Sequence, residues 1–203
     1  HVAGQATLVE FDPALWWPGT AGSAWQRGPH RLNAQSRFAL DVPDSIAALP
    51  PFTALARLRG EIEASLGDSL LAGVALHGDA SWRNADGVRA SGRLALDAAG
   101  NTVRAEGRIG LDGTGSADAW DATIEAPALA KLEPLGRLVG LAGKDAAHLS
   151  GTLAANVHVD GRWPALRSKG RLEAHGLRLG AASAREAQAR WTLGNGPGAP
   201  LEL

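Results

Sequence analysis

The run from Gly151 to Val159 reads GTLAANVHV. In it Leu153, Ala155, Val157 and Val159 alternate with Thr152, Ala154, Asn156 and His158. A period of two sends successive side chains to opposite faces of an extended chain, so this run is a strand with one apolar and one polar face. The alternation recurs through most of the sequence. Val88, Ala90, Gly92, Leu94 and Leu96 oppose Arg89, Ser91, Arg93, Ala95 and Asp97, and Val103, Ala105, Gly107, Ile109 and Leu111 oppose Arg104, Glu106, Arg108 and Asp112. A chain patterned in this way must find a cover for a long apolar surface.

Val2 to Phe11 reads as a strand, and Phe11 to Gly19, with Pro13 and Pro18, opens a loop that reaches Pro29. His30 to Val42 resumes the pattern, with Leu32, Ala34, Ser36, Phe38 and Leu40 on one side. Pro43 to Phe52 is a connector, where Asp44 or Ser45 can cap one helical turn through Ile46 and Leu49 before Pro50-Pro51 stops it. About five strands follow between Ala54 and Ala126. The first carries Leu58, Ile62 and Leu66 around Gly60, the second runs from Leu70 to Trp82, and Trp120, Ala122 and Ile124 mark the last. Turns fall at Asn84–Gly87, Ala98–Asn101 and Gly113–Ala117. Such short links join antiparallel neighbours, because parallel strands need a long crossover.

Pro127 to Ala147 breaks the alternation. Leu129, Leu132, Leu135, Leu138, Val139 and Leu141 recur at three- to four-residue spacing, which predicts one or two short amphipathic helices interrupted by Pro134 and Gly136. Strands return at Leu149 and continue through Val159, Lys169 to Leu179, Ala184 to Leu193, and from Leu201. At His175-Gly176 the apolar parity passes from Leu172 and Ala174 to Leu177 and Leu179, and a bulge there keeps one face inward. The expected organisation is one elongated domain. Residues 1–42 hold strands and a Pro/Trp loop, 43–53 a connector, 54–126 a five-strand repeat, 127–148 a partly helical crossover, and 149–203 further strands. The phrase Gly-Arg-[Leu/Ile] recurs at Gly92, Gly107 and Gly170, with variants at Gly60 and Gly151, and self-similarity of this kind suits a quasi-one-dimensional fold.

Helical pattern is too scarce to cover about eleven strands. A tightly packed sandwich favours bulky facing layers, whereas this chain has three Phe, no Tyr and many Ala and Leu. The predicted fold class is therefore all-β: an extended antiparallel meander curled into a hydrophobic groove, with short helical crossover segments. An acyl chain of about sixteen carbons leaving water for such a groove gains on the order of 10 kcal/mol, at about 0.8 kcal/mol per methylene.

Other chemistries find little purchase. Lys+Arg is 20 against Asp+Glu 21, and Arg57/Arg59 and Arg167/Lys169 are spaced by two as on a solvated strand face, which argues against nucleic acid. Cysteine is absent, so there are no disulfides or thiolate metal sites. No apolar run approaches the ~18 residues of a membrane span. The chain opens on His1 and contains no Met, and reads as an internal piece of a longer protein. The six histidines, His158 and His175 among them, lack zinc-ligand spacing, and surface positions are their ordinary reading. Asp97, Asp112, Asp118, Asp121 and Asp160 fall mostly at turns or strand ends, where Asp suits the backbone. GLDGTG at Gly110 to Gly115 lacks a following Gly-Lys-Ser/Thr and reads as a turn. Trp25, Trp82, Trp120, Trp163 and Trp191 read as residues packing at strand edges and turns rather than as groove gates. No catalytic, cofactor or metal site is expected.

Several phrases carry a resemblance. They are Leu149-Ser-Gly-Thr-Leu-Ala-Ala-Asn-Val-His-Val-Asp-Gly-Arg-Trp-Pro-Ala-Leu166, Gly170-Arg-Leu-Glu-Ala-His-Gly-Leu-Arg-Leu179, and Ala187-Gln-Ala-Arg-Trp-Thr-Leu-Gly194 followed by Ala199-Pro-Leu-Glu-Leu203. Phe11-Asp-Pro13, Trp16-Trp17-Pro-Gly19 and Glu125-Ala-Pro-Ala-Leu-Ala-Lys-Leu132 join them. Together they resemble the TamB family (translocation and assembly module), within the wider AsmA-like group of bridge-type lipid carriers. The resemblance implies a periplasmic segment of a protein anchored in the inner membrane of Gram-negative bacteria. It implies a taco-shaped β groove for phospholipid acyl chains, a role in outer-membrane biogenesis, and an insertase-type outer-membrane barrel partner, TamA. It brings no catalytic residues.

The expected groove lining is Ile62, Leu66, Leu94, Leu96, Val103, Ile109, Leu111, Leu153, Val157, Val159, Leu172, Leu177 and Leu179. Two other readings compete with a lipid conduit, and a glycosidase on a β-helix is a distant third. One is an assembly chaperone for outer-membrane β-barrel proteins, holding strands by β-augmentation. The other is a structural β-solenoid with a self-filled core.

Overall fold

The computed structural model describes residues 1–16, 23–26, 28–42, 58–110, 118–138, 149–162, 165–180 and 182–194. The helical turn expected within Pro43–Phe52, the turn at Gly113–Ala117, Asp112, Leu111, Val139, Leu141, Trp163 and the strand from Leu201 lie outside them. Ten strands are formed: β1 Val2–Phe11, β2 Leu32–Asp41, β3 Arg59–Leu71, β4 Val74–Asn84, β5 Arg89–Ala98, β6 Asn101–Gly110, β7 Asp118–Ala126, β8 Leu149–Arg162, β9 Ala165–Leu179 and β10 Ala182–Leu193. They make one antiparallel sheet in strictly sequential order. The sheet is not closed into a barrel, and extensive strand contacts run only between sequence neighbours. This curled meander is the predicted fold class. Its antiparallel neighbours are incompatible with a solenoid, whose coils stack parallel strands.

Turn chemistry sets the pairing. At Ala72-Gly73 and Ala99-Gly100 both central residues have positive φ, the two-residue hairpin geometry whose twist matches that of the strands. The first of these turns corrects the expectation that a strand begins at Leu70, since Leu70 and Leu71 end β3. Alanine rarely takes positive φ, so Ala72 gave no turn signal. The β4–β5 turn is held by Asn84, which is completely buried. Its Nδ2 donates to Leu58 O at 2.6 Å and its Oδ1 accepts from Gly87 N at 2.8 Å. In the same turn the amides of Arg89 and then Val88 hold the Asp86 carboxyl below its ordinary pKa.

Register shifts occur between Leu8 and Phe11, between Leu66 and Ser69, and between Ser150 and Thr152. At the last, Gly151 of β8 opposes both Gly176 and Leu177 of β9, at the predicted His175-Gly176 position, and Gly176 has φ +57°. Such bulges bend a strand and sharpen its twist.

The 3₁₀ turn Leu129–Leu132 runs into the helix α1, Glu133–Leu138. Pro134 and Gly136 lie inside this helix and do not interrupt it. Pro134 sits in its first turn, where no amide is needed. The segment leads from β7 to its neighbour β8 and lays Leu132 and Leu135 against the buried cluster Val74, Leu76 and Ala98. Nearby, His30 is buried rather than at the surface. Ala72 N donates to its Nδ1 at 3.0 Å, its Nε2 lies 2.8 Å from Trp25 O, and these bonds tie the stretch before β2 to the β3–β4 turn.

Asn84→Ala is expected to lower the unfolding free energy by about 1–3 kcal/mol, because it leaves the Leu58 carbonyl and the Gly87 amide without partners. Denaturant unfolding followed by circular dichroism measures the change.

Candidate functional site: the apolar face

The pairing places one apolar row across all ten strands: Gly4, Phe38, Ile62, Trp82, Gly92, Gly107, Trp120, Val159, Ser168 and Leu193. Two residues along, a second row holds Ala6, Ser36, Ala64, Ala80, Leu94, Ala105, Ala122, Val157, Gly170 and Trp191. A third holds Leu8, Ala34, Leu66, Gly78, Leu96, Val103, Ile124, Ala155, Leu172 and Ala189. The middle row is mostly small, and larger side chains flank it on both sides. It is a shallow lane running across the strands, ~13 Å from one flanking row to the other along the chain and ~43 Å long over nine strand spacings. Leu94 projects into it, 41% exposed, and Trp191 occupies its β10 end.

All twelve described residues of the predicted lining lie on this face. Ile62 and Val159 belong to the first row, Leu94 and Val157 to the lane, and Leu66, Leu96, Val103 and Leu172 to the third row. Ile109 lies beyond the first row, opposite Ala90. Leu153 lies beyond the third, opposite Ala174, and Leu177 and Leu179 follow past the bulge. Leu179 is 55% exposed, so it is a rim residue rather than part of a floor. Leu66 also packs against the buried cluster beneath α1, so one end of the face is covered by protein.

The expected lining omits Phe38, Trp82, Trp120 and Trp191. Phe38, Trp82 and Trp120 lie within interior strands of the apolar face, not at edges or turns, whereas Trp191 lies on β10, the last strand of the described sheet, as expected of an edge position. Their rings meet glycines. A Cβ on Gly107 would run into the Ala119 carbonyl and sit 2.7 Å from Cγ of Trp120. One on Gly92, a strand further, would lie 3.0 Å from Cη2 of the same ring. A Cβ on Gly170 would be 2.6 Å from Cη2 of Trp191, whose Nε1 donates to Ser168 Oγ at 3.1 Å, and one on Gly4 would be 3.0 Å from Cζ of Phe38. The recurring Gly-Arg-[Leu/Ile] phrase thus marks where an aromatic ring lies down on a neighbouring strand. A tryptophan at the parity of Ala122 and Ile124, with glycines recurring at matching parity, was the available signal.

The polar face carries the charged chemistry. His158 Nδ1 lies 2.7 Å from Asp121 Oδ1, and Asp160 accepts from Arg167 Nε at 2.7 Å. These two carboxylates therefore pair across strands and do not serve turns. Asp97 and Asp118 do cap backbone, at Gly100 N and Gly110 N. Among the described residues no three His, Asp or Glu side chains converge as a metal site, and no helix is long and apolar enough to cross a membrane.

Gly107→Ala is expected to cost about 1–3 kcal/mol of stability and to displace the Trp120 ring. A lower denaturation midpoint together with a shifted tryptophan emission would register both effects. Comparison of this chain with family models, with curated proteins and with solved structures finds no match.

Proposed function

We propose that the chain is a non-enzymatic segment of a lipid-conducting protein, and that its apolar face carries phospholipid acyl chains. The observation that supports this most is the continuous apolar surface spanning ten strands, over which the described helix covers only one end. An acyl chain laid in the small-residue lane gains about 0.8 kcal/mol per methylene removed from water, and the flanking Phe38, Trp82, Val103 and Ile124 keep it from sliding sideways. Nothing in such a lane discriminates headgroups. The lane is far shorter than a periplasm is wide, so the segment serves as one section of a longer conduit between inner and outer membranes, in a periplasmic protein anchored in the inner membrane. The resemblance to the TamB family points the same way and supplies the expected barrel partner, TamA.

A second reading, a holder of unfolded outer-membrane strands, gains support from the sheet edge. β1 carries no charged residue from Val2 to Val9, and all of these positions are exposed. In the described sheet β1 has a strand partner on one side only, and an uncharged strand so placed can pair with a further strand, of this protein or of a client. A photocrosslinker at Val157 distinguishes the two, trapping lipid in one case and polypeptide in the other.

The wild-type chain is expected to release near-stoichiometric phospholipid on organic extraction, read by mass spectrometry. Val157→Asp and Ile109→Arg, which place an unpaired charge on the face, are expected to reduce it at least tenfold while the β circular dichroism signal is kept. Folded variants that retain full lipid occupancy would overturn the assignment.

A further inference from the structure

The polar face is not uniform. Several of its charges stand opposite a counter-charge across strands: Arg37 opposes Glu63, Glu61 opposes Arg83, Arg93 opposes Glu106, and Asp160 opposes Arg167, the second and the last as ion pairs. Glu106 does oppose Asp121, but Arg93 and His158 flank that pair. Arg104 and Arg108 face uncharged residues, and at the β9–β10 end like charges meet. Arg171 stands opposite Arg190, with Asn156 on its other side, and β10 is the last of the described strands. Like charges directly opposed destabilise a sheet. Glu173 pairs with Arg171, but among the described residues neither Arg190 nor Lys169 has a carboxylate within ion-pair distance. The two strands together hold six Lys/Arg and two Glu in a chain whose net charge is −1.

These side chains line an open basin of about 630 Å³. Its polar lining is rich in donors. Thr123 Oγ1 donates to Asn156 Oδ1 at 3.2 Å, which leaves the Asn156 amide hydrogens for the basin. Lys169, Arg171, Arg190 and the Thr192 hydroxyl add further donors. Asp121, the carboxylate in the lining, is engaged by His158. Several cationic and neutral donors around one open volume suit a compact anion with several acceptor oxygens.

We propose that this basin binds a phosphate group, as a phosphomonoester or phosphodiester anion. Its polar lining belongs to the charged face, the rest of its lining is Ala122, Val157, Gly170 and Trp191 of the lane row, and phosphate binding needs no acyl chain, so the proposal stands whether or not the lipid reading does. The anion relieves the Arg171–Arg190 repulsion and supplies counter-charge to Lys169. Its affinity falls with added salt.

The test is a ¹H–¹⁵N titration of the whole chain with glycerol 3-phosphate, beside flotation on phosphatidylcholine vesicles with and without phosphatidylglycerol. Saturable shifts at Asn156, Lys169, Arg190 and Thr192 are expected, weakened at least tenfold in K169Q/R190Q and unchanged in R93Q/R104Q. Binding to glycerol phosphate alone identifies a free phosphate compound as the source, and added flotation with phosphatidylglycerol identifies a lipid headgroup. Either result supports the site. It is overturned by unperturbed basin amides, by equal affinity in K169Q/R190Q, by equal loss in R93Q/R104Q, or by poly-glutamate binding the basin where phosphate does not.

Discussion

The structure depends on strand register held in phase across the whole sheet. A slip of one residue at any hairpin would send every apolar side chain beyond it to the polar face. Ten strands keep a single apolar row from Gly4 to Leu193, which means each irregularity must be phase-neutral. The bulges meet that condition. Leu66 and Leu71 remain on one face across the β3 shift, and Ala174 and Leu177 do so across the β9 shift. Because each strand touches mainly its two neighbours, the phase is set locally, by turn geometry and by bulges, and not by a central core. The buried apolar residues among those described are few, and five of the nine are alanines.

A sheet with so little core still has to order its exposed apolar face. The aromatic–glycine contacts do part of this. Trp120 lies across two strands at once, over Gly107 and Gly92, and so ties β5, β6 and β7 together beyond their hydrogen bonds. The same contact keeps the profile low, since a ring lying flat on glycines projects less than one standing between branched neighbours. A face built that way combines ordered side chains with a passable surface. Filling the glycines would lift the rings into the space the lane occupies.

Much of this was legible from one chain. Alternation located the strands, Asn84–Gly87 and Ala98–Asn101 located turns, and the parity change at His175-Gly176 located a bulge. The Ala72-Gly73 turn was hidden because alanine is an unusual residue at positive φ. Pro134 misled because proline breaks helices in their interiors but not in their first turn. The lane and its aromatic contacts depend on which residue meets which across strands. Pattern along the chain gives the face but not the partner, so Trp120 was placed on the right strand and given the wrong surroundings. The basic basin was illegible for the same reason: Arg171 and Arg190 are far apart in sequence and become opposed only through the β9–β10 register.

A sheet one residue thick separates its two faces chemically while keeping them adjacent in sequence. Arg190 and Trp191 are consecutive, yet the Trp191 ring lies over Gly170 on the apolar face while Arg190 stands opposite Arg171 on the polar one. Energetic independence does not follow from that separation within β10, because neighbouring residues share a backbone and a pairing. It does follow at a distance. Contacts run from strand to adjacent strand, so a change on β6 reaches β9 only through β7 and β8, and effects at separated sites with no shared partners add. Ile109 on β6 and Lys169 on β9 meet that condition, whereas Val157 on β8 pairs directly with Gly170 and is itself among the basin's lining residues. A loss of phosphate binding caused by Val157→Asp would therefore report a local effect at the basin, and the same loss caused by Ile109→Arg would report coupling between the two faces.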